Sequence, residues 1–75
     1  MLLKRSVSIA GHRTSLALEA EFWAVLDHAA AARGLAFAAL IREIDEQRAK
    51  TDPGQPLSSA CRVFALAEAQ SPKAT

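Results

Sequence analysis

The sequence predicts a single, mainly α-helical domain that begins with a short β-strand region. Three observations predict this fold class. Polar and apolar residues alternate with a period of two near the N-terminus, the apolar spacing then changes to that of a helix, and clusters of glycine and proline divide the helical part. A chain of 75 residues has room for one domain, which we place at 4–70.

Two short stretches near the N-terminus show the alternation of a half-buried strand. In 4–9, Val7 and Ile9 share one face. In 13–18, Leu16 and Leu18 share one face, and the side chains of the opposite face are those of Arg13, Ser15 and Ala17. The strand region therefore spans 4–18, and two arrangements are open at its glycine. Residues 4–10 either extend the second stretch or form a separate strand that folds back.

Helical spacing of the apolar residues follows the strand region. It predicts a first helix over 20–33, with Phe22 and Leu26 on its apolar face. It predicts a second helix over 36–50, whose apolar face consists of Phe37, Leu40, Ile41 and Ile44. Gly34 ends the first helix. Because so few residues separate the two helices, they must fold back on each other as a helical hairpin.

The C-terminal part of the chain predicts one further helix. The turn-forming residues of 51–56 end the second helix, and a narrow apolar face predicts the third over 58–70. Residues 71–75 are predicted to be a disordered tail. Trp23 lies beside the apolar stripe of the first helix, so we expect its ring to cover a gap between the first and third helices.

The content of cysteine and histidine excludes several kinds of site. A single cysteine, Cys61, cannot form an internal disulfide, and two histidines with one cysteine make a poor zinc set. The sequence therefore predicts no metal, no cofactor and no catalytic residue.

A chain this small buries only about 60% of the surface that its unfolded form exposes. We therefore expect it to gain stability from oligomerisation or from unusually good helix packing.

Charge is distributed unevenly along the chain. The net charge is +1, yet residues 1–18 contain Lys4, Arg5 and Arg13 and no acidic residue. This basic segment can present a positive face to a polyanion, and a symmetric dimer would double that face.

The apolar runs are shorter than the ~20 residues that cross a bilayer, and the first residues lack the pattern of a signal peptide. These features predict a cytoplasmic protein.

Two motifs and the order of elements resemble a known family. The run Gly-His-Arg-Thr-Ser at 11–15 is followed by the pair Phe22-Trp23, in the order strand, short helix, glycine turn, second helix. Residues 13–48 resemble the ribbon-helix-helix fold of bacterial repressors, the group that includes the methionine repressor and Arc. Over 4–70 the chain is similar to a small bacterial subfamily of predicted DNA-binding proteins with that fold.

The resemblance implies an intertwined homodimer that binds double-stranded DNA, with an extra N-terminal strand and a third C-terminal helix. In that fold a strand from each chain pairs antiparallel, and the paired ribbon enters the major groove. The residues that the resemblance assigns to base contacts are Arg13, Ser15 and Ala17. If residues 4–10 extend the ribbon, Ser6 and Ser8 take this place instead. The residues assigned to phosphate contacts are Lys4, Arg5, His12, Leu35, Ala36 and Phe37. The shared core of the dimer would contain Leu16, Leu18, Phe22, Leu26, Phe37, Leu40, Ile41 and Ile44.

Two functions are compatible with these features. The first is a sequence-specific DNA-binding protein, a transcriptional regulator such as a repressor, which can assemble further dimers on adjacent half-sites. The alternative is a dimeric protein-interaction module with weak or no DNA binding, including the binding of an antitoxin to its partner. The third helix would then supply the surface for a protein partner. The low net charge and the alanine at position 36, where the family often has serine or threonine, favour this alternative.

Overall fold

The computed structural model describes residues 1–71 and consists of a two-stranded antiparallel sheet followed by three helices. The elements are β1 (Leu2–Ile9), β2 (His12–Glu19), α1 (Ala20–Ala32), α2 (Phe37–Thr51) and α3 (Leu57–Gln70). This confirms the predicted fold class, with its additional N-terminal strand and third C-terminal helix. Apart from Ser71, the predicted disordered tail lies outside the described residues.

The two strands form a hairpin within one chain. β1 pairs antiparallel with β2, from Leu2 opposite Glu19 to Ile9 opposite His12. Residues 4–10 therefore form a separate strand that folds back, which was one of the two open arrangements. β1 of the same chain occupies one edge of β2, so the ribbon of two chains implied by the resemblance would have to use a remaining free edge of the hairpin.

A two-residue turn fixes this hairpin. Ala10 and Gly11 both have positive φ, +51° and +82°. Positive φ at both central residues is the requirement of a type I′ turn, whose twist matches that of the paired strands. Gly11 adopts this conformation without a steric cost, whereas the Cβ of Ala10 is strained there.

Relieving the strain at Ala10 is expected to stabilise the protein. Ala10→Asn creates the Asn-Gly pair that type I′ turns prefer and should raise the free energy of unfolding by about 0.5–1 kcal/mol. Ala10→Val at the same exposed position is the control, and it should lower stability because a β-branched residue tolerates positive φ poorly. Urea unfolding of the three proteins measures both effects. Equal stability of all three would contradict the assigned turn.

The connection between α1 and α2 is a Schellman motif. The backbone N–H of Leu35 donates to the carbonyl of Ala30 at 2.9 Å, and that of Gly34 donates to the carbonyl of Ala31 at 3.1 Å. Gly34 has a φ of +66°, the left-handed conformation this motif requires. The chain therefore turns sharply, and α1 and α2 are bent by 101° relative to each other.

Among the described residues no single helix is long and apolar enough to cross a membrane, although this bent pair reaches the required length and apolarity jointly.

The hydrophobic core lies between the inner face of the hairpin and the three helices. The inner face supplies Val7, Ile9, Leu16 and Leu18, and the helices supply Trp23, Leu26, Ala29, Ala30, Leu40, Ile41, Ile44, Ala60, Cys61 and Ala65. Most of the residues that the resemblance assigns to a dimer core are therefore buried within one chain, whereas Phe22 and Phe37 are partly exposed. Burial raises the pKa of Cys61 to about 11, so this thiol behaves as a small apolar group.

Trp23 corrects one expectation from the sequence. The sequence placed it beside the apolar stripe, whereas its side chain is 2% exposed, belongs to the core and contacts β1 and α2. The indole Nε1–H donates to the carbonyl of Leu3 at 2.7 Å, and the ring lies 5.5 Å from that of Phe37. Trp23 therefore connects the hairpin to both α1 and α2.

Ion pairs and hydrogen bonds fix the third helix and its connection. Arg62 of α3 bonds Glu19 at 3.1 Å, and Arg33 at the end of α1 bonds Glu68 at 2.9 Å. In the connection, the guanidinium of Arg48 bonds the Asp45 carboxylate and donates to the carbonyls at positions 53 and 55. These contacts hold α3 against the remainder of the domain and leave the outer face of the hairpin uncovered in the described part of the chain.

Candidate nucleic-acid interface

The outer face of the hairpin is the side of the sheet that points away from the helices. Because side chains alternate along a strand, Arg13, Ser15 and Ala17 lie opposite the buried Leu16 and Leu18 on β2. The register places β1 residues beside them on the same face. These pairs are Ser8 with Arg13, Ser6 with Ser15, and Lys4 with Ala17. All of these side chains are exposed except that of Ala17, which is half-buried.

At the turn end, Ser8 lines a cleft with Arg42, Glu43 and Glu46 of α2, and along the strands themselves the outer face is weakly positive. It carries Lys4 and Arg13 and no acidic side chain until Glu19, at the open end of the hairpin. A hydrogen bond from its own backbone N–H, together with Arg62, holds the pKa of Glu19 below its usual value. The carboxylate is therefore ionised at neutral pH and is paired with a cation, which reduces its repulsion of an approaching polyanion.

Arg5 lies on the other side of the hairpin and has an internal role. Its guanidinium makes a bidentate ion pair with Asp27, at 2.9 and 3.0 Å. It also lies over the rings of Trp23 and Phe37, at 4.6 and 5.1 Å from their centroids. The hydrogen bond to Asp27 raises the pKa of Arg5 above its ordinary value. Arg5 thus attaches β1 to α1 and α2, and we leave it out of the proposed DNA-contacting set.

His12 also lies away from the outer face. It pairs with Ile9 next to the turn, and it lines a cleft with Thr14, Asp45 and Arg48 on the helix side of the hairpin. The structure therefore does not bring His12 together with Arg13 and Ser15, although the three are close in sequence.

The N-terminus of α2 presents backbone donors without a side-chain cap. Helical hydrogen bonding begins with the N–H groups of Ala39 and Leu40, which both donate to the carbonyl of Ala36. Ala36 is the N-cap and makes no side-chain capping bond, and no acidic residue occupies the first turn. The N–H of Leu35 is already bonded to Ala30, so a phosphate at this site would be bound by the N–H groups of residues 36–38.

Comparison with known families agrees with this geometry. A family model described as a ribbon-helix-helix domain matches residues 2–69, which covers the hairpin and almost all of the three helices. The chain belongs to the ribbon-helix-helix family. Ribbon-helix-helix proteins are typically DNA-binding transcription regulators or antitoxins, and they typically bind DNA as dimers. Comparison with curated proteins and with solved structures finds no match.

The sequence reasoning named Ser6 and Ser8 as base-contacting residues of this ribbon-helix-helix protein only for the case in which residues 4–10 extend the ribbon, and it preferred residues 13–17. The structure places both on the outer face, next to Arg13 and Ser15. The signal was present in the alternation of 4–9, which puts both serines opposite Val7 and Ile9. Its use required knowledge that β1 folds back onto β2, because only that pairing brings the two polar rows together.

A serine at position 36 is expected to stabilise this ribbon-helix-helix domain. Ala36 has the extended conformation of an N-cap, with φ −63° and ψ 149°. Ala36→Ser supplies a hydroxyl acceptor for the first helical N–H groups, and it should raise the free energy of unfolding by about 1 kcal/mol. Ala38→Ser is the matched control, because this exposed position lies inside the helix and gains no capping bond. Thermal unfolding measures the difference, and equal effects of the two substitutions would contradict the assigned cap.

Proposed function

We propose that this protein is a sequence-specific DNA-binding protein, a bacterial transcriptional regulator of the repressor type that works in the cytoplasm. The observation that carries the proposal is the outer face of the hairpin. It is exposed, it bears Lys4 and Arg13, and its polar side chains come from a twisted two-stranded ribbon. The major groove of B-form DNA, about 12 Å wide, admits such a ribbon.

The side chains of β2 suit base recognition to different degrees. Arg13 can donate two hydrogen bonds to O6 and N7 of guanine. Ser15 can both donate and accept one hydrogen bond, and Ala17 offers only an apolar contact for a thymine methyl group. Because Arg13 is the strongest of these, we expect a large share of the affinity to come from phosphate contacts and from the shape of the DNA.

Phosphate contacts are proposed at two places. Lys4 is an exposed cation at the open end of the outer face, opposite Ala17. The N-terminus of α2 offers backbone N–H groups at Ala36 and Phe37, where the helix dipole favours an anion. Both groups are indifferent to base identity, so they would fix the position of the protein on the duplex.

We further propose that the protein acts as a homodimer on DNA. The family typically binds DNA as dimers, and one chain exposes several large apolar side chains. These are Met1, Leu2, Leu3, Val63 and Leu66. Sedimentation of the saturated complex should give the mass of the duplex plus that of two 8.0 kDa chains. A single chain per duplex at saturation would contradict this part of the proposal.

Selection of bound duplexes from a random pool tests the function. The purified full chain should enrich a short sequence motif, and its affinity for that duplex should fall steeply between about 50 and 200 mM salt as counterions are released. If the protein binds duplexes but enriches no sequence motif, it binds DNA without sequence specificity. Failure to bind any duplex at low salt would favour the second candidate.

That second candidate is a protein-interaction module, and one observation favours it. Val63 and Leu66 on α3 are 58% and 55% exposed, and their spacing of three residues places them on the same side of the helix. A partner protein, such as the toxin bound by an antitoxin, could cover them. This role is compatible with DNA binding, because the outer face and these α3 residues lie on different elements.

A further inference from the structure

We infer that α3 carries a self-association surface, on which a second copy of this chain packs its own α3. The surface, here called the α3 stripe, consists of Val63, Leu66, Ala67 and Gln70. These residues are exposed and recur at i, i+3, i+4 and i+7, so they lie on one side of the helix. The inference goes beyond the proposed function, because this contact needs no DNA and uses neither strand of the hairpin.

The α3 stripe differs from the exposed surfaces of the other two helices because it carries no charge. The exposed positions of α1 include Asp27, and those of α2 include Arg42 and Lys50. α3, which the structure describes completely, has two charged residues, Arg62 and Glu68, and both bond to other parts of the domain, at 3.1 and 2.9 Å. A helix surface that stays in water is expected to be polar or charged, so this uncharged apolar stripe indicates a surface that becomes covered.

The lack of charge also indicates which partner covers the stripe. It argues against a duplex, since the stripe offers no cation to contact a phosphate. In a two-fold contact each surface meets its own copy, so any charge near the axis would face a like charge. A stripe without charge avoids that repulsion, and it is therefore complementary to itself.

The shape of this surface fits a second helix. On one side of α3, Val63 and Phe64 line a groove of about 220 Å³ together with Ile44 of α2. On the other side, a groove of about 270 Å³ lies between α3 and α1, and Val25 is among its lining residues. α3 is thus a ridge between two grooves. Helices pack by placing the ridges of one helix into the grooves of another, and a two-fold pair lets each copy supply both parts.

The position of the two largest residues of the stripe determines which side chains meet. Val63 and Leu66 lie at the middle of α3 (Leu57–Gln70), so an antiparallel pair of these helices brings both close to the two-fold axis. Their side chains are more than half exposed in the single chain, and the pair would remove them from water in both copies. A charge introduced at either position would therefore lie close to the same charge on the second copy.

Sedimentation of the full chain without DNA tests the inference. The original protein should associate as its concentration is raised through the micromolar range. Val63→Glu brings two carboxylates together near the axis and should lower the association constant about a hundredfold, which halves the mass of the species present, whether or not the strands already pair two chains. Ala49→Glu adds the same charge at an exposed position of α2 and should associate as the original protein does.

A mixture of two variants tests whether the stripe faces its own copy. Val63→Lys alone should also fail to associate, because two ammonium groups then meet near the axis. Equal amounts of Val63→Glu and Val63→Lys should recover the association, since each carboxylate then faces an ammonium group. The circular dichroism of both variants should match that of the original protein, because position 63 is exposed.

Three results would overturn the inference. The first is an original protein and a Val63→Glu variant of equal mass, in which case a different protein covers the α3 stripe or nothing does. The second is a mixture of the two variants that stays dissociated, because the stripe would then not face its own copy. The third is an equal loss of association in the Ala49→Glu control. DNA is absent from all of these measurements, so DNA binding by the hairpin stands or fails separately.

Discussion

Trp23→Ala is expected to lower the free energy of unfolding by about 3–5 kcal/mol, the usual cost of removing a buried tryptophan side chain. The ring is 2% exposed and joins the hairpin to two helices, so its loss leaves a cavity where three elements meet. It also removes the ring beneath the Arg5 guanidinium. A domain of this size has a total stability of only about 5 kcal/mol, so the variant should be close to unfolded without denaturant.

The control for this prediction is Trp23→Phe. Phenylalanine keeps most of the apolar contact but cannot donate to the carbonyl of Leu3, so we expect a loss of about 1–2 kcal/mol. Circular dichroism during urea unfolding measures both variants. If Trp23→Ala cost less than about 1 kcal/mol, the indole would not be a central core element, contrary to the packing described.

Arg13→Ala is expected to lower affinity for the selected duplex about ten- to a hundredfold, the range for a bidentate arginine–guanine contact. Preference for one base pair should be lost along with affinity, because Arg13 is the strongest donor on the outer face. Stability should be unchanged, since the side chain is exposed and makes no ion pair within the described residues.

Lys50→Ala is the matched control for this substitution. Lys50 is an exposed cation in the last turn of α2, so its removal makes the same change of net charge away from the hairpin. Binding of both variants to the selected duplex and to its single-base substitutions should separate a base contact from a general effect of charge. Equal small losses from both, with preference retained, would show that Arg13 does not read a base.

The alternation and the helical periods of the sequence predicted the elements, because each depends on local spacing. The order of strand region and three helices was correct, and the burial of Leu16 and Leu18 fixed which side of β2 carries Arg13 and Ser15. Period-two alternation specifies a face, however, and does not specify the partner of a strand. The pairing of β2 with β1 depended on the conformation of Ala10 and Gly11, which the sequence did not decide.

The interpretation of Trp23 and Arg5 needed tertiary context. The buried residues of α1 are Trp23, Leu26, Ala29 and Ala30. The sequence analysis had placed Phe22 on the apolar face, and the face that is buried is turned from there toward β1. β1 covers this side of the helix, which could not be known before the hairpin was known. Arg5 looked like a solvated cation in a basic segment, whereas Asp27 and two aromatic rings hold it on the inner side.

Nuclear magnetic resonance titration of the uniformly ¹⁵N-labelled protein with its selected duplex tests the central claim most directly. The claim predicts that the largest amide shift changes fall on the outer-face residues of both strands, namely Lys4, Ser6, Ser8, Arg13 and Ser15, with a second group at the N-terminus of α2. Titration with a scrambled duplex should give smaller changes that disappear as salt is raised. Changes concentrated on α3 while the hairpin amides stay in place would contradict the claim that this hairpin binds DNA.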